Sequence, residues 1–448
     1  MRFFVTTGNH DPALPLGLMQ KNAHFLAADG SRVTREDSCA GYVSQMECYA
    51  DFGFFPRKDD CYWESPFTSY TYDKYSYEDA CRESVLSKRT YTLCDSLTAT
   101  DASYLVEPVD GLWLLAIDGG VYLPKEMKDG KWSYQGSSAG YNLVLKHKPF
   151  LLPWVRKVVE EAQKRHKTLV AFSHYPLVDF NDGVSEHVRR IWGDRRFDLH
   201  RVPEAEVSEA FLQAGLRLHF AGHMHVNDTG IWEGKDGKHL YNIQVPSIAT
   251  YVPAYKILTI ESDEVFRVET VALDTVPGFD SLFPLYRAEY QSDSLKGHSP
   301  VWNKEILSAR TYGEFCDYQF RDLVRLRFIP RDLPESWRAC LDFTGARMLE
   351  AVSGEDRSDD ADWTDWCMKD LVLDLYRLRY AERLALEDIP RTRLAVYRYL
   401  FDRARISTFR SAEVEMVKGL GTLFLAFLNG EPCQNFVIDL KKDTITED

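Results

Sequence analysis

The sequence predicts an α/β fold over residues 1–278 and a mainly helical region over residues 279–448. Three observations carry this. Short apolar, β-branched runs alternate with amphipathic helical stretches through the first part. Leucines at helical spacing among Arg and Glu mark the second, as at Leu371, Leu375 and Leu378. The composition, 45% hydrophobic and 27% charged, is that of a globular chain and excludes a disordered or fibrous one.

Strands are expected at residues 3–6, 112–117, 168–172, 216–220, 240–245, 256–260 and 265–271. One helix follows from Leu152, Val155, Val158, Val159 and Ala162 on a common face, with Arg156, Lys157, Glu160 and Glu161 between them. A second starts at Pro203, carries Val207, Ala210, Phe211 and Ala214, and stops at Gly215, with Pro early and Gly late as helix ends favour. Residues 39–94 interrupt the alternation with aromatics such as Tyr62, Trp63, Tyr70, Tyr72 and Tyr75 and with five of the nine cysteines. They read as an insertion beside the site, with the rings forming a small core of their own rather than a stacking wall for a sugar or base. No Cys-x-x-Cys pair occurs, so a zinc ribbon has no support.

The charge balance of 54 basic against 68 acidic residues, net −14, leaves no nucleic-acid-binding surface in evidence. No apolar run approaches the ~20 residues of a membrane span; the best is residues 419–428. The oligomeric state stays open. The first residues have no leader pattern, so a cytoplasmic protein is expected if Met1 is the true start, and an exported or periplasmic one if a leader precedes it.

Three blocks carry chemistry, each at the exit of an expected strand: Gly8-Asn9-His10-Asp11, Ser173-His174-Tyr175-Pro176 and Gly222-His223-Met224-His225. Loops at the carboxyl ends of strands are where α/β folds place their sites. Imidazole and amide oxygen suit divalent first-row metals, and Asp11 beside His10 is placed to orient an imidazole. Singly, each block reads as readily as a turn, a cap or a structural histidine. Together and in this order they point to one centre.

In these blocks the sequence resembles the calcineurin-like metallophosphoesterases, whose motifs run Asp-x-His, Gly-Asp-x-x-Asp, Gly-Asn-His-Asp/Glu, a lone His and Gly-His-x-His. The last three are matched by Gly8–Asp11, His174 and Gly222–His225, and the likeness covers roughly residues 1–275. It implies a sandwich of two mixed β-sheets flanked by helices and the hydrolysis of phosphoric esters by a metal-activated hydroxide. It further implies that Asn9, His174 and His223 ligate one metal of a pair (Mn, Zn or Fe) and His225 the other. His10 would protonate the leaving group, with Asp11 holding its ring, and the partner is a phosphate-ester substrate. The first two motifs have no counterpart before Gly8, so a chain shortened at its N-terminus is expected, lacking one strand-helix unit and binding at most one ion tightly. The only other Asp-x-His, Asp198-Leu199-His200, is out of order and is expected to be a decoy. The alternative reading is a non-catalytic relative that binds a ligand or partner through the same scaffold.

Overall fold

The computed structural model describes residues 1–9, 23–26, 32–35, 42–94, 97–128, 131–135, 140–295, 297 and 302–448. A seven-stranded mixed sheet organises the first part. Its strands are β1 (Tyr62–Glu64), β2 (Tyr104–Val109), β3 (Leu112–Ile117), β4 (Thr168–Ser173), β5 (Leu218–Ala221), β6 (Asp228–Glu233) and β7 (His239–Gln244), in the order β6-β7-β5-β4-β3-β2-β1. Strands β3, β4, β5 and β7 run parallel, while β6, β2 and β1 add to the flanks antiparallel. The central strands are near-continuous apolar runs because both faces of a parallel sheet are covered.

On one face, Trp113, Leu115, Ile117 and Ala171 meet helices α1 (Leu151–Lys164) and α2 (Ala205–Gln213). Of the expected stripe, Val155, Val158, Val159 and Ala162 are buried there, whereas Leu152 is only half-buried and Leu151 and Trp154 complete the face. On the other face, Val170, Leu218, Tyr241 and Ile243 pack against Phe266, Val268, Phe436 and Ile438 of a second sheet. That sheet is β8 (Ala254–Ile260), β9 (Val265–Ala272), β10 (Asn435–Asp439) and β11 (Thr444–Glu447), in chain order. The two sheets stack, with helices α1 and α2 on the outer face of the first, but Tyr255 and Ile257 of β8 are exposed and the second sheet is antiparallel throughout rather than mixed. The connections 261–264 and 440–443 are hairpin-short, and a parallel pair needs a crossover of a dozen residues or more. It also draws strands from both sides of residue 278.

The second part is helical, with α3 (Tyr312–Leu323), α4 (Gly345–Ser353), α5 (Met368–Ala381), α6 (Arg391–Ile406) and α7 (Ala412–Leu428). Its core of Leu371, Leu375, Leu378, Leu400, Leu420 and Phe424 is continuous with Phe197, Met224 and Val226 of the first part. The apolar run near residue 420 lies in that core, and among the described residues no helix is long and apolar enough to cross a membrane.

The expected strand at residues 3–6 does not form. A turn and a side chain take the groups that a ladder would have used: Val5 N–H donates to Phe52 O at 3.0 Å, and Tyr104 Oη donates to Val5 O at 2.8 Å. The aromatic segment supplies the edge strand β1, and its Phe54, Tyr62 and Trp63 rings are core. Tyr62 stacks on Trp113 at 5.9 Å, and Trp63 Nε1 donates to Gly53 O at 2.9 Å.

Candidate functional site

The parallel strands deliver their carboxyl ends side by side. Ser173 of β4 is in register with Ile117 of β3 and Ala221 of β5, so the loops that begin at Asp118, His174 and Gly222 emerge as neighbours. The Gly222 amide donates to His174 O at 3.0 Å, tying two of those loops together. The N-terminal segment reaches the same place. Thr7 Oγ1 lies 3.4 Å from Asp118 Oδ1, and a Cβ on Gly8 would stand only 2.9 Å from His174 Nδ1.

Three side chains that the sequence nominated come together there. His174 Nε2 lies 2.8 Å from Asn9 Oδ1, His223 Nδ1 lies 3.2 Å from the same oxygen, and the two nitrogens are 3.0 Å apart. The remaining ring nitrogen of His223, Nε2, is buried without a hydrogen-bond partner. Burial, with His174, Arg201 and His225 adding like-charge repulsion, depresses the His223 pKa to about 2, so its imidazole is neutral and offers a lone pair. Neighbouring ligands on a cation with bonds of ~2.1 Å stand about 3.0 Å apart at right angles and about 3.4 Å apart in a tetrahedron. The N, N, O donor set and its spacing fit one first-row cation.

His225 behaves differently. Both His223 (φ 64) and His225 (φ 59) are left-handed, a conformation rare for non-glycine residues and concentrated at functional sites. This backbone sends Met224 into the helical core and leaves His225 exposed. Among the described residues, one group of three or more His, Cys, Asp or Glu has its ligand atoms within 4.8 Å of one another, and His225 does not belong to it. His10 and Asp11 lie outside the described residues.

Asp198 of the out-of-order motif serves the helical region. Its carboxylate accepts from Arg331 Nη1 at 2.9 Å and Nη2 at 3.2 Å, with Arg379 at 3.9 Å. Burial alone would raise this carboxyl, but Arg379 and Arg331 outweigh it and hold the pKa below the usual value. His200 is exposed.

Sequence reasoning missed the layer beneath the site. Ser173 Oγ bonds His219 Nε2 at 2.9 Å and donates to Tyr175 O at 2.8 Å, while His219 Nδ1 lies 2.8 Å from Asn242 Oδ1. Asn242 Oδ1 also accepts from Leu177 N at 2.9 Å, so this network fixes the turn that carries His174. Beside it, Lys148 Nζ lies 2.8 Å from carboxylates of Asp101 and Asp118, all fully or almost fully buried. Burial opposes the Lys148 charge, but Asp101 and Asp118 outweigh it and raise its pKa. The signal was present as Ser173, His219 and Asn242, polar residues on inward faces of otherwise apolar strands.

No protein-family model matches the chain, and no curated protein matches it at a significant level.

Proposed function

We propose that this chain is a metal-dependent hydrolase of phosphoric esters of the calcineurin-like kind. The observation that carries the reading is the mutual approach of Asn9 Oδ1, His174 Nε2 and His223 Nδ1 within 3.2 Å at the carboxyl end of parallel strands. In this reading those atoms hold a first-row cation, Mn, Zn or Fe. When bound, the cation supplies Lewis-acid polarisation of a phosphoryl oxygen and a hydroxide nucleophile at neutral pH.

The chain's own residues do the rest. His223 is kept neutral by burial and needs to shed no proton to become a ligand. Arg201, near enough for its charge to act on His223 and with Nε buried and unpartnered, supplies positive potential for an anionic ester. His225, exposed beside His223, stands where it meets incoming substrate or a second ion. By resemblance, His10 donates the proton to the leaving oxygen and Asp11 orients its ring.

One observation favours the second reading, a non-catalytic phosphoesterase-like binder: the converging donors include no carboxylate that would bridge to a second cation. The deciding experiment strips the protein with chelator, reloads it with Mn or Zn, and follows hydrolysis of p-nitrophenyl phosphate and of bis(p-nitrophenyl) phosphate. Turnover should return with metal. It should fall by more than about 100-fold in His174→Ala and His223→Ala, beyond the 10–100-fold that loss of an outer-shell partner costs. Metal binding without turnover selects the second reading. Absence of any metal bound through these residues overturns the hydrolase reading.

A further inference from the structure

Away from the histidine centre, the loop after β4, the start of β6 and the end of α5 meet at the junction of the sheets with the helical region. There Asp182, Asp228 and Glu382 bring carboxylate oxygens within 4.8 Å of one another. Asp228 and Glu382 are 2% and 3% exposed, yet both Asp228 oxygens and Glu382 Oε1 lack hydrogen-bond partners. Leaving buried acceptors unpaired costs stability, so something must satisfy them.

A second observation is independent of the acids. Gln244 is 0% exposed, and neither its Oε1 nor its Nε2 has a partner. It pairs directly with Asp228 in the β6/β7 ladder, and residues opposite one another in an antiparallel pair project from the same face. An unpaired amide oxygen therefore stands beside the unpaired carboxylate. Lys256, whose charge acts on Asp228, does not neutralise the group directly, because its ammonium donates to Asn227 Oδ1, Thr270 Oγ1 and Cys433 O at 2.7, 2.9 and 2.7 Å.

We propose that Asp182, Asp228, Glu382 and Gln244 form a second site, for a hard divalent cation of calcium size, which clamps the helical region to the sheets. All four donors are oxygens, the set that hard cations select. Ligands on opposite sides of an ion with bonds of ~2.4 Å lie about 4.8 Å apart, so these carboxylates lie close enough together for one Ca²⁺ to touch all of them. The clamp joins separate pieces of chain. Asn227 N donates to Tyr380 O at 2.8 Å next to the site, and Asp182 lies so close under Gly430 that a Cβ there would meet Oδ1 at 2.7 Å. Without a cation, burial pushes the pKa values of all three carboxyls upward, with repulsion from Asp228 adding to it at Asp182 and Glu382 and repulsion from Asp179 at Asp228. Their competing means of neutralisation is then a shared proton between Asp228 and Glu382.

The test uses the full chain after chelation. Calcium titration by calorimetry and thermal unfolding with and without Ca²⁺ should give one ion per chain and a rise in melting temperature. Asp228→Asn and Glu382→Gln, close in shape, should each weaken calcium binding by at least tenfold, while His174→Ala and His223→Ala should leave it intact. No calcium-dependent rise in the parent protein overturns the proposal in favour of the shared proton. Calcium binding that survives in both carboxamide variants also overturns it.

Discussion

His223 Nδ1 lies 3.0 Å from His174 Nε2, two imidazole nitrogens from loops 49 residues apart that one proton or one cation must hold together. With Asn9 Oδ1 on the third corner, the fold prepares a single three-donor site. Elemental analysis of protein saturated with Mn or Zn and freed of loosely held metal should therefore find at most one transition-metal ion per chain. His174→Ala and His223→Ala should each abolish it. Two tightly held ions would mean that His225 has ligands beyond those seen to converge.

Gly8 sets the distance between the N-terminal segment and the His174 ring. A methyl group there would lie 2.9 Å from Nδ1 and 3.0 Å from Cε1, closer than ordinary carbon contacts allow. Gly8→Ala should turn or displace the ring and weaken metal binding on the order of tenfold, the scale of an outer-shell defect. Metal titration beside Asn9→Ala measures this. Affinity equal to that of the parent protein would show that the ring can yield without cost.

Asp198, in the out-of-order Asp-x-His, has a structural role that can be tested. It is 4% exposed and held between Arg331 and Arg379, so Asp198→Ala leaves the buried Arg379 without its carboxylate, while Arg331 keeps Asp332. Breaking a buried pair from one side costs about 3–5 kcal/mol. Urea unfolding should register a loss of that order, with metal content unchanged. Loss of metal at unchanged stability would reverse the assignment.

The legible and illegible parts of this molecule divide along physical lines. Leu112–Ile117 and the α1 stripe could be read directly because burial imposes periodicity on apolar residues. Asn9, His174 and His223 were nominated by residue type and strand-exit position; the register of β4 and β5 brings the last two exits together, while Asn9 arrives on a segment that forms no strand. Residues 3–6 misled because a β-branched, aromatic run fits a loop anchored on Phe52 and Tyr104 as well as a strand. The acidic junction was invisible. Asp182, Asp228 and Glu382 come from three distant segments, and no local pattern records a meeting created by packing.

His219 should give the protein a measurable acid weakness. Burial depresses its pKa to about 4, against 6.5 for an unburied histidine, although the bond to Asn242 partly opposes the shift. Between those values the unfolded chain takes up a proton that the folded chain refuses. The stability from neutral His219 is therefore complete above pH 6.5 and is lost as pH falls toward 4, by roughly 3 kcal/mol. Unfolding of chelated protein at several pH values should be less steeply pH-dependent in His219→Gln by about that amount. An unchanged slope would place the acid sensitivity in another group.

Lys148 lies farther inside, and its removal should reach the proposed metal site through the backbone. Its ammonium is the cation shared by Asp101 and Asp118, and Asp118 in turn accepts from Gly120 N at 2.9 Å and faces Thr7 Oγ1 at 3.4 Å. Lys148→Met keeps most of the side-chain volume but strands two buried carboxylates, and loss of one side of a buried ion pair costs about 3–5 kcal/mol. Repulsion between them should drive one to take a proton or shift, loosening the end of β3 and the Thr7 anchor two residues before Asn9. Stability should fall first, with metal affinity falling as well. Adding Asp101→Asn to Lys148→Met removes the repulsion, so the double variant should recover stability relative to the single one while Asp118 keeps its contact with Thr7. Recovery of metal affinity in step with stability would tie Asn9 placement to this buried charge balance. Metal affinity untouched in Lys148→Met would show that contacts other than Asp118, such as those to Phe52 and Tyr104, hold the N-terminal segment.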